Sequence, residues 1–166
     1  FPLGELSVDV VFEVSGFYNR KDKAYVFIAA GAKHVVIMGL AGNDLPTVVY
    51  DINHKSVLNS DQVISIPGGT AIANAVVGHA INDVAGYNVS VANFLEIGSN
   101  IGAEYLDTHI SSASATDYQT GRSGAWNLIR STSGAAKAIG LIIPELNGKC
   151  TSTQTRTATI QGAMSI

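Results

Sequence analysis

Residues 8–38 read VDVVFEVSGFYNRKDKAYVFIAAGAKHVVIM, and this pattern decides the fold. The apolar, β-branched run of residues 8–14 predicts a buried strand, and the Ser-Gly pair behind it predicts a turn. From Asn19 to Ala30 a polar start leads into an apolar middle with a glycine after it, which is typical of a helix. His34–Met38 predicts a second strand. A strand, a helix and a strand at this spacing indicate a crossover between parallel strands.

The chain downstream continues this alternation and then changes character near residue 67. Thr47–Tyr50 and Gln62–Ser65 predict two further short strands, before Pro67-Gly68-Gly69 interrupts the pattern. The apolar spacing over Thr70–Ala85 predicts a helix, and Val89–Leu95 predicts another strand. The first part therefore looks like the end of a doubly wound parallel sheet.

The remainder looks like the beginning of an α+β domain. Residues 97–125 are rich in Gly, Ser, Ala and Thr and predict a long loop. Ser131-Thr132-Ser133 offers N-cap candidates for a helix over residues 134–141. The threonines that alternate from Thr151 onwards predict a strand of an antiparallel sheet with one exposed face.

Composition excludes several classes of protein. The chain has 166 residues, of which 46% are apolar and 14% charged, and its net charge is −3. This balance excludes disorder and argues against nucleic-acid binding. There is one cysteine, no run of 18 apolar residues and no signal-peptide pattern, so we expect an intracellular, cytoplasmic protein without a membrane span. The scattered histidines His34, His54 and His79 lack the spacing of metal ligands, so no metal site is predicted.

A longer motif near the carboxyl-terminal side resembles a known family. The stretch SGAAKAIG (Ser133–Gly140), followed by IPELNGK (Ile143–Lys149), is similar to the phosphate-site helix of glyceraldehyde-3-phosphate dehydrogenase and its exit. Weaker matches follow the family's order over Val8–Phe17, Ala30–Ile37 and Asn53–Lys55. The resemblance is best over residues 5–65 and 117–149.

This resemblance implies a fold, a cofactor and a domain boundary. Residues 1–66 would be the end of an NAD-binding, Rossmann-like domain, and residues 67–166 a partial catalytic domain with an antiparallel sheet. NAD is the implied cofactor, with Ser15, Gly16 and Phe17 in the turn near its adenine side. The glycine-rich loop that binds the pyrophosphate would lie outside these 166 residues, as would the closing part of the catalytic domain.

The family's reaction uses a cysteine thiolate at a helix N-terminus and a neighbouring histidine. Alignment from Val63-Ile64-Ser65 places the nucleophile position on Gly69, and counting forward places the histidine position on Glu96. Neither residue can perform the family's role. The phosphate-binding positions that the resemblance implies are Thr70, Ser99, Arg122, Ser133, Gly134 and Arg156.

Three hypotheses remain open at this point. The chain could be a portion of a phosphorylating, NAD-dependent dehydrogenase subunit of glycolysis, which would act on a phosphorylated small molecule and assemble into an oligomer. It could instead be a catalytically silent relative that serves as a structural or interaction subunit. The sequence could also be misread, in which case positions 69 and 96 would hold cysteine and histidine.

Overall fold

The computed structural model describes residues 1–86, 89–99, 128–131, 133–159 and 163–165. Its α-helices are Lys21–Ala29 (α1), Gly69–Val84 (α2) and Ala135–Ile142 (α3), and short 3-10 helices lie at His54–Ser56 and Pro144–Leu146. Its strands are Val10–Glu13 (β1), His34–Met38 (β2), Val63–Ile66 (β3), Ala92–Ser99 (β4), Ile129–Ser131 (β5), Cys150–Thr157 (β6) and Ala163–Ser165 (β7). The chain divides into two compact units, residues 1–92 with 134–150 and residues 93–133 with 151–166.

A parallel sheet of three strands forms the centre of the first unit. The strand order is β1-β2-β3, and β2 is parallel to both neighbours. Phe12 lies opposite Val36, which in turn lies opposite Ile64. The predicted strand-helix-strand crossover and the α/β fold class are confirmed.

Helix α1 covers one face of this sheet. Ala24 and Phe27 of α1 are buried against the sheet residues Val35, Ile37 and Val63. Because side chains alternate along a strand, the residues between them point to the opposite face. There the large apolar side chains of Val10, Phe12 and Met38 are exposed, Phe12 to 64%. The described part of the sheet is therefore covered on one face and open on the other.

The predicted strand Thr47–Tyr50 is wrong. The structure contains only a single parallel bridge there, between Thr47 and Ser65. The bridge uses Val48 N–H and the Pro46 carbonyl, and the next bond of this ladder would need an N–H from residue 67, which is a proline. The ladder therefore stops there. On the edge away from β3, Asn53 Oδ1 accepts a hydrogen bond from Val49 N–H (2.7 Å), and its Nδ2 donates one to the Thr47 carbonyl (2.8 Å).

Helices α2 and α3 pack against each other in the first unit. The buried face of α2 includes Ala71 and Ala75, and the buried face of α3 includes Ala138 and Ile139. Both helices were predicted to within one residue at each end. Their small buried side chains permit a close approach of the two helices. The N-cap of α3 is Gly134 rather than one of the predicted hydroxyl residues.

The second unit contains a sheet with the strand order β5-β6-β4-β7. Strand β7 is antiparallel to β4, and β5 is antiparallel to β6. The strand predicted over Val89–Leu95 is present but shifted to Ala92–Ser99, and the predicted tail strand is present as β6. The long loop predicted for residues 97–125 is wrong over residues 97–99, which belong to β4, and the rest of it lies outside the described residues. The domain boundary between residues 66 and 67 stays a prediction.

Candidate functional site

The carboxyl edge of the parallel sheet gathers the candidate residues of the first unit. The turn Ser15–Phe17 follows β1, and Gly69 and Thr70 begin α2 shortly after β3 ends. Since the strands are parallel, these two segments lie at the same edge of the sheet. In open α/β sheets this edge is where ligands bind.

The N-terminus of α3 also lies at this edge. A Cβ added to Gly134 would stand 3.4 Å from Cδ2 of Leu40, and Leu40 lies just after β2. Ser65 near the end of β3 donates a hydrogen bond to the Gly39 carbonyl (2.8 Å), which joins the ends of β2 and β3. The structure therefore places the predicted cofactor turn, the predicted nucleophile position and the start of the predicted phosphate helix at one edge of the sheet.

The turn Ser15–Phe17, predicted to contact the cofactor, is held by the buried residue Glu13, which the sequence interpretation did not single out. Its buried carboxylate accepts hydrogen bonds from Ser15 N–H (2.7 Å), from Gly16 N–H (3.0 Å) and from the Ser15 hydroxyl. The Ser15 hydroxyl oxygen in turn accepts a hydrogen bond from Phe17 N–H (3.1 Å). Gly16 has φ +74°, the left-handed conformation that glycine adopts without strain. An acidic residue two positions before a Ser-Gly pair is the signal that could have identified this role.

Phe17 is the outward-facing part of the turn, with 62% of its surface exposed. Its carbonyl accepts a hydrogen bond from Lys23 Nζ (3.1 Å), and the same ammonium lies 4.3 Å from the centre of its ring. The ring also packs edge-on against Tyr18, with 4.9 Å between ring centres.

These contacts test whether the turn fits NAD. Its N–H groups and its hydroxyl are engaged by Glu13 or by Ser15 itself, so they are not oriented towards a pyrophosphate. An exposed aromatic ring remains, which can stack on a flat heterocycle. The group of the turn that is left to contact a base is therefore the Phe17 ring.

The predicted nucleophile position is open but carries no side chain. Gly69 is the first residue of α2, and a Cβ placed on it would meet nothing within 4 Å. Thr70 follows and is partly buried. The N–H groups in the first turn of a helix lack intrahelical partners and favour anions. This end of α2 has the geometry for anion binding, and its first residue offers no nucleophilic atom.

The other predicted site residues lie in the second unit or outside the described residues. Glu96 lies in β4 opposite Ser165 and is 1% exposed. Arg156 lies in β6 opposite Ile129 and is half-buried. Ser99 ends β4, and Ser133 precedes the N-cap of α3. Arg122 lies outside the described residues. The roles assigned to Arg122 and to the other site residues stay predictions.

A cavity of about 490 Å³ opens beside the N-terminus of α1. Its lining includes the cations Arg20 and Lys21 and the carboxylates Asp22 and Asp44. Arg20 Nε is already paired with Asp22 Oδ1 at 3.1 Å. The lining thus carries both signs of charge and gives no clear preference for an anion.

Cys150, the single cysteine, has none of the features of a nucleophile. Partial burial raises the pKa of its thiol, and the neighbouring Lys149 lowers it by less. A raised pKa leaves little thiolate at neutral pH. Across the described ranges, no three His, Cys, Asp or Glu side chains form a group that could hold a metal ion. No helix in the same ranges is long and apolar enough to cross a membrane.

Comparison with known proteins gives consistent results. The family described as "Glyceraldehyde 3-phosphate dehydrogenase, C-terminal domain" matches residues 99–165. The glyceraldehyde-3-phosphate dehydrogenase of Clostridium pasteurianum is 36% identical over 148 residues, which cover 89% of this chain and 43% of that protein. The protein of the same name from Lactobacillus delbrueckii subsp. bulgaricus is 37% identical over 142 residues, and that from Xanthobacter flavus 36% over 159 residues. These alignments cover 86% and 95% of this chain, and 41% and 45% of those proteins.

The chain spans less than half the length of these curated relatives. The matched residues include positions 99–116 and 150–165, where the motifs alone showed little resemblance. The parallel sheet and the second sheet are the fold that the resemblance to this family implies, and the matches at 35–37% identity point to the same family. The chain is thus similar to a partial segment of glyceraldehyde-3-phosphate dehydrogenase subunits, and its residues 99–165 match the C-terminal domain of that family.

Proposed function

We propose that this chain is the part of a glyceraldehyde-3-phosphate dehydrogenase-like subunit that carries the cofactor turn and the phosphate-site helix, without the nucleophile. The observation that carries the proposal is Gly69, which occupies the first position of α2 at the carboxyl edge of the sheet. A cysteine at this position would be activated by the helix N-terminus. Glycine offers no atom that could attack an aldehyde.

Glu96 at the histidine position supports the same conclusion. A histidine can accept the proton of a thiol and stabilise the thiolate as a cation. A carboxylate beside a thiol would raise the thiol's pKa and oppose its ionisation. The residues as they stand therefore favour binding over acyl transfer, although NAD would supply a hydride acceptor if it were bound.

Anion binding is what the remaining residues can do. The hydroxyl group of Thr70 and the N–H groups at the start of α2 are suited to a phosphate group. Ser133 and Arg156 of the second unit are implied in phosphate binding by the resemblance to the family. The substrate class would thus be a phosphorylated small molecule.

Two measurements on the purified chain test this proposal. Peptide mass spectrometry across residues 56–122 establishes whether position 69 is glycine and position 96 glutamate. A spectrophotometric assay with glyceraldehyde 3-phosphate, phosphate and NAD then measures NADH formation. We expect glycine and glutamate, and no NADH above the enzyme-free control. A cysteine at position 69, or sustained turnover, would overturn the proposal.

A second candidate function is that of a structural or interaction subunit. The observation that favours it is the open face of the parallel sheet, where Val10, Phe12 and Met38 are exposed. Parallel sheets are ordinarily buried on both faces, so this face calls for a covering polypeptide. Light scattering on the purified chain is expected to show association. A monomer with a sharp cooperative melt would count against this candidate.

A further inference from the structure

We propose that Lys23 is a positioning residue for nucleotide binding, because it holds the ring and the carbonyl of Phe17 at the edge of the sheet. This inference rests on the proposed function, which assigns the turn to the cofactor. It concerns a residue of α1 that lies outside the predicted turn itself.

The geometry consists of two contacts from one ammonium group. Lys23 Nζ donates a hydrogen bond to the Phe17 carbonyl at 3.1 Å and lies 4.3 Å from the centre of the Phe17 ring. A cation within about 6 Å of a ring centre is attracted to the ring's face. One side chain therefore holds both the backbone and the aromatic group of the same residue.

The hydrogen bonds that begin at Glu13 do not reach the carbonyl of Phe17 or its ring. The Glu13 carboxylate binds Ser15 and Gly16, and the chain of hydrogen bonds ends at Phe17 N–H. Gly16, at φ +74°, lacks a side chain that would restrict its backbone conformation. Lys23 holds the turn from the carbonyl side of Phe17, so the two charged residues hold opposite ends of the turn.

The position of α1 explains why Lys23 can do this. Lys23 is near the start of α1, and the next residue, Ala24, is fully buried in the core against the sheet. The anchor is thus a rigid helix rather than a loop. Phe17 is 62% exposed while it is in contact with Lys23, so its side chain remains accessible to a base.

Binding of adenosine 5′-monophosphate tests the ligand side of the inference. Isothermal titration would compare the unchanged chain with Lys23→Met, which keeps a long side chain without the charge, and with Lys23→Arg, which keeps a cationic donor. We expect the dissociation constant to rise about two- to fivefold in Lys23→Met and to stay near the original in Lys23→Arg. Lys55→Met is the matched control, since it removes a lysine charge from the 3-10 helix and leaves the turn unchanged.

Chymotryptic cleavage after Phe17 tests, without any ligand, whether Lys23 restrains Phe17. We expect this cleavage, followed by mass spectrometry, to be about two- to fivefold faster in Lys23→Met and unchanged in Lys23→Arg and Lys55→Met. Equal cleavage rates in Lys23→Met and the unchanged chain would overturn the inference. If the unchanged chain binds no nucleotide but Lys23→Met is cleaved faster, the assignment of the turn to the cofactor fails. The contact by which Lys23 restrains Phe17 would then still be supported.

Discussion

Gly140 of α3 and Asn147 lie so close together that a Cβ on Gly140 would stand 2.8 Å from Oδ1 of Asn147 and 3.1 Å from its Cα. The chain leaves α3 through the 3-10 helix Pro144–Leu146 and returns across this glycine. The missing side chain is what allows the close return. Glycine at this position is thus explained by packing, within the motif that resembles the family's phosphate-site helix.

The variant Gly140→Ala tests this packing. Alanine favours a helix, but its methyl group would displace the backbone of Asn147, so we expect a net loss of about 1–2 kcal/mol in the free energy of unfolding. Thermal melting followed by circular dichroism measures the change. Gly69→Ala is the control, because a Cβ there meets open space and we expect no destabilisation. An unchanged melting temperature in Gly140→Ala would contradict the packing argument.

The variant Asn53→Ala removes the side chain that joins Thr47 and Val49. Two hydrogen bonds at 2.7 Å and 2.8 Å are lost, so we expect a cost of about 1–3 kcal/mol in the free energy of unfolding. Urea unfolding measures it, with Asn59→Ala as an exposed control. A loss no larger than that of the control would show that the two hydrogen bonds contribute nothing to stability.

The variants Glu13→Ala and Glu13→Gln separate the role of the oxygen acceptor from that of the charge. Alanine leaves the N–H groups of Ser15 and Gly16 without their acceptor, and we expect a cost of about 1–3 kcal/mol. Glutamine keeps an acceptor oxygen and is expected to lose less. Urea unfolding compares both with Glu5→Ala, an exposed carboxylate. The same loss in both Glu13 variants would mean that the carboxylate charge is required.

The variant Gly69→Cys, made together with Cys150→Ser, tests whether the helix start still activates a thiol. The start of α2 favours the thiolate, so we expect faster reaction with Ellman's reagent at neutral pH than Cys150 shows in the unchanged chain. The chain with Cys150→Ser alone gives the background. If the introduced thiol reacts as slowly as Cys150 does, this helix end no longer favours an anion.

The thiol of Cys150 makes a separate prediction about pH. Because burial raises its pKa, the folded chain holds this proton more tightly than the unfolded chain does. Its alkylation is therefore expected to be slower than that of the urea-unfolded chain, and to keep increasing above the usual thiol pKa. The free energy of unfolding should fall as the pH rises through this range. Iodoacetamide labelling with and without urea measures the difference.

Local patterns predicted the parallel sheet and the three α-helices of the described residues, because strand and helix periods are properties of consecutive residues. The strand at Thr47–Tyr50 was wrong, since the next ladder bond to β3 would need an N–H at position 67, where the chain has a proline. The contacts of Glu13 and Lys23 with the turn were not predicted either. They depend on where β1 and α1 place two charged side chains, and this placement follows only from the packed sheet.

The open face of the sheet also has a consequence for local unfolding. In the described sheet, β2 has a strand on each side, whereas β1 has one strand beside it and exposed side chains on the uncovered face. Opening β1 therefore costs little buried apolar area, while opening β2 breaks the centre of the core. We expect the amide hydrogens of β1 to exchange with deuterium well before those of Val35 and Ile37. The order of exchange would then reflect how far each strand is covered by the strands and helices beside it.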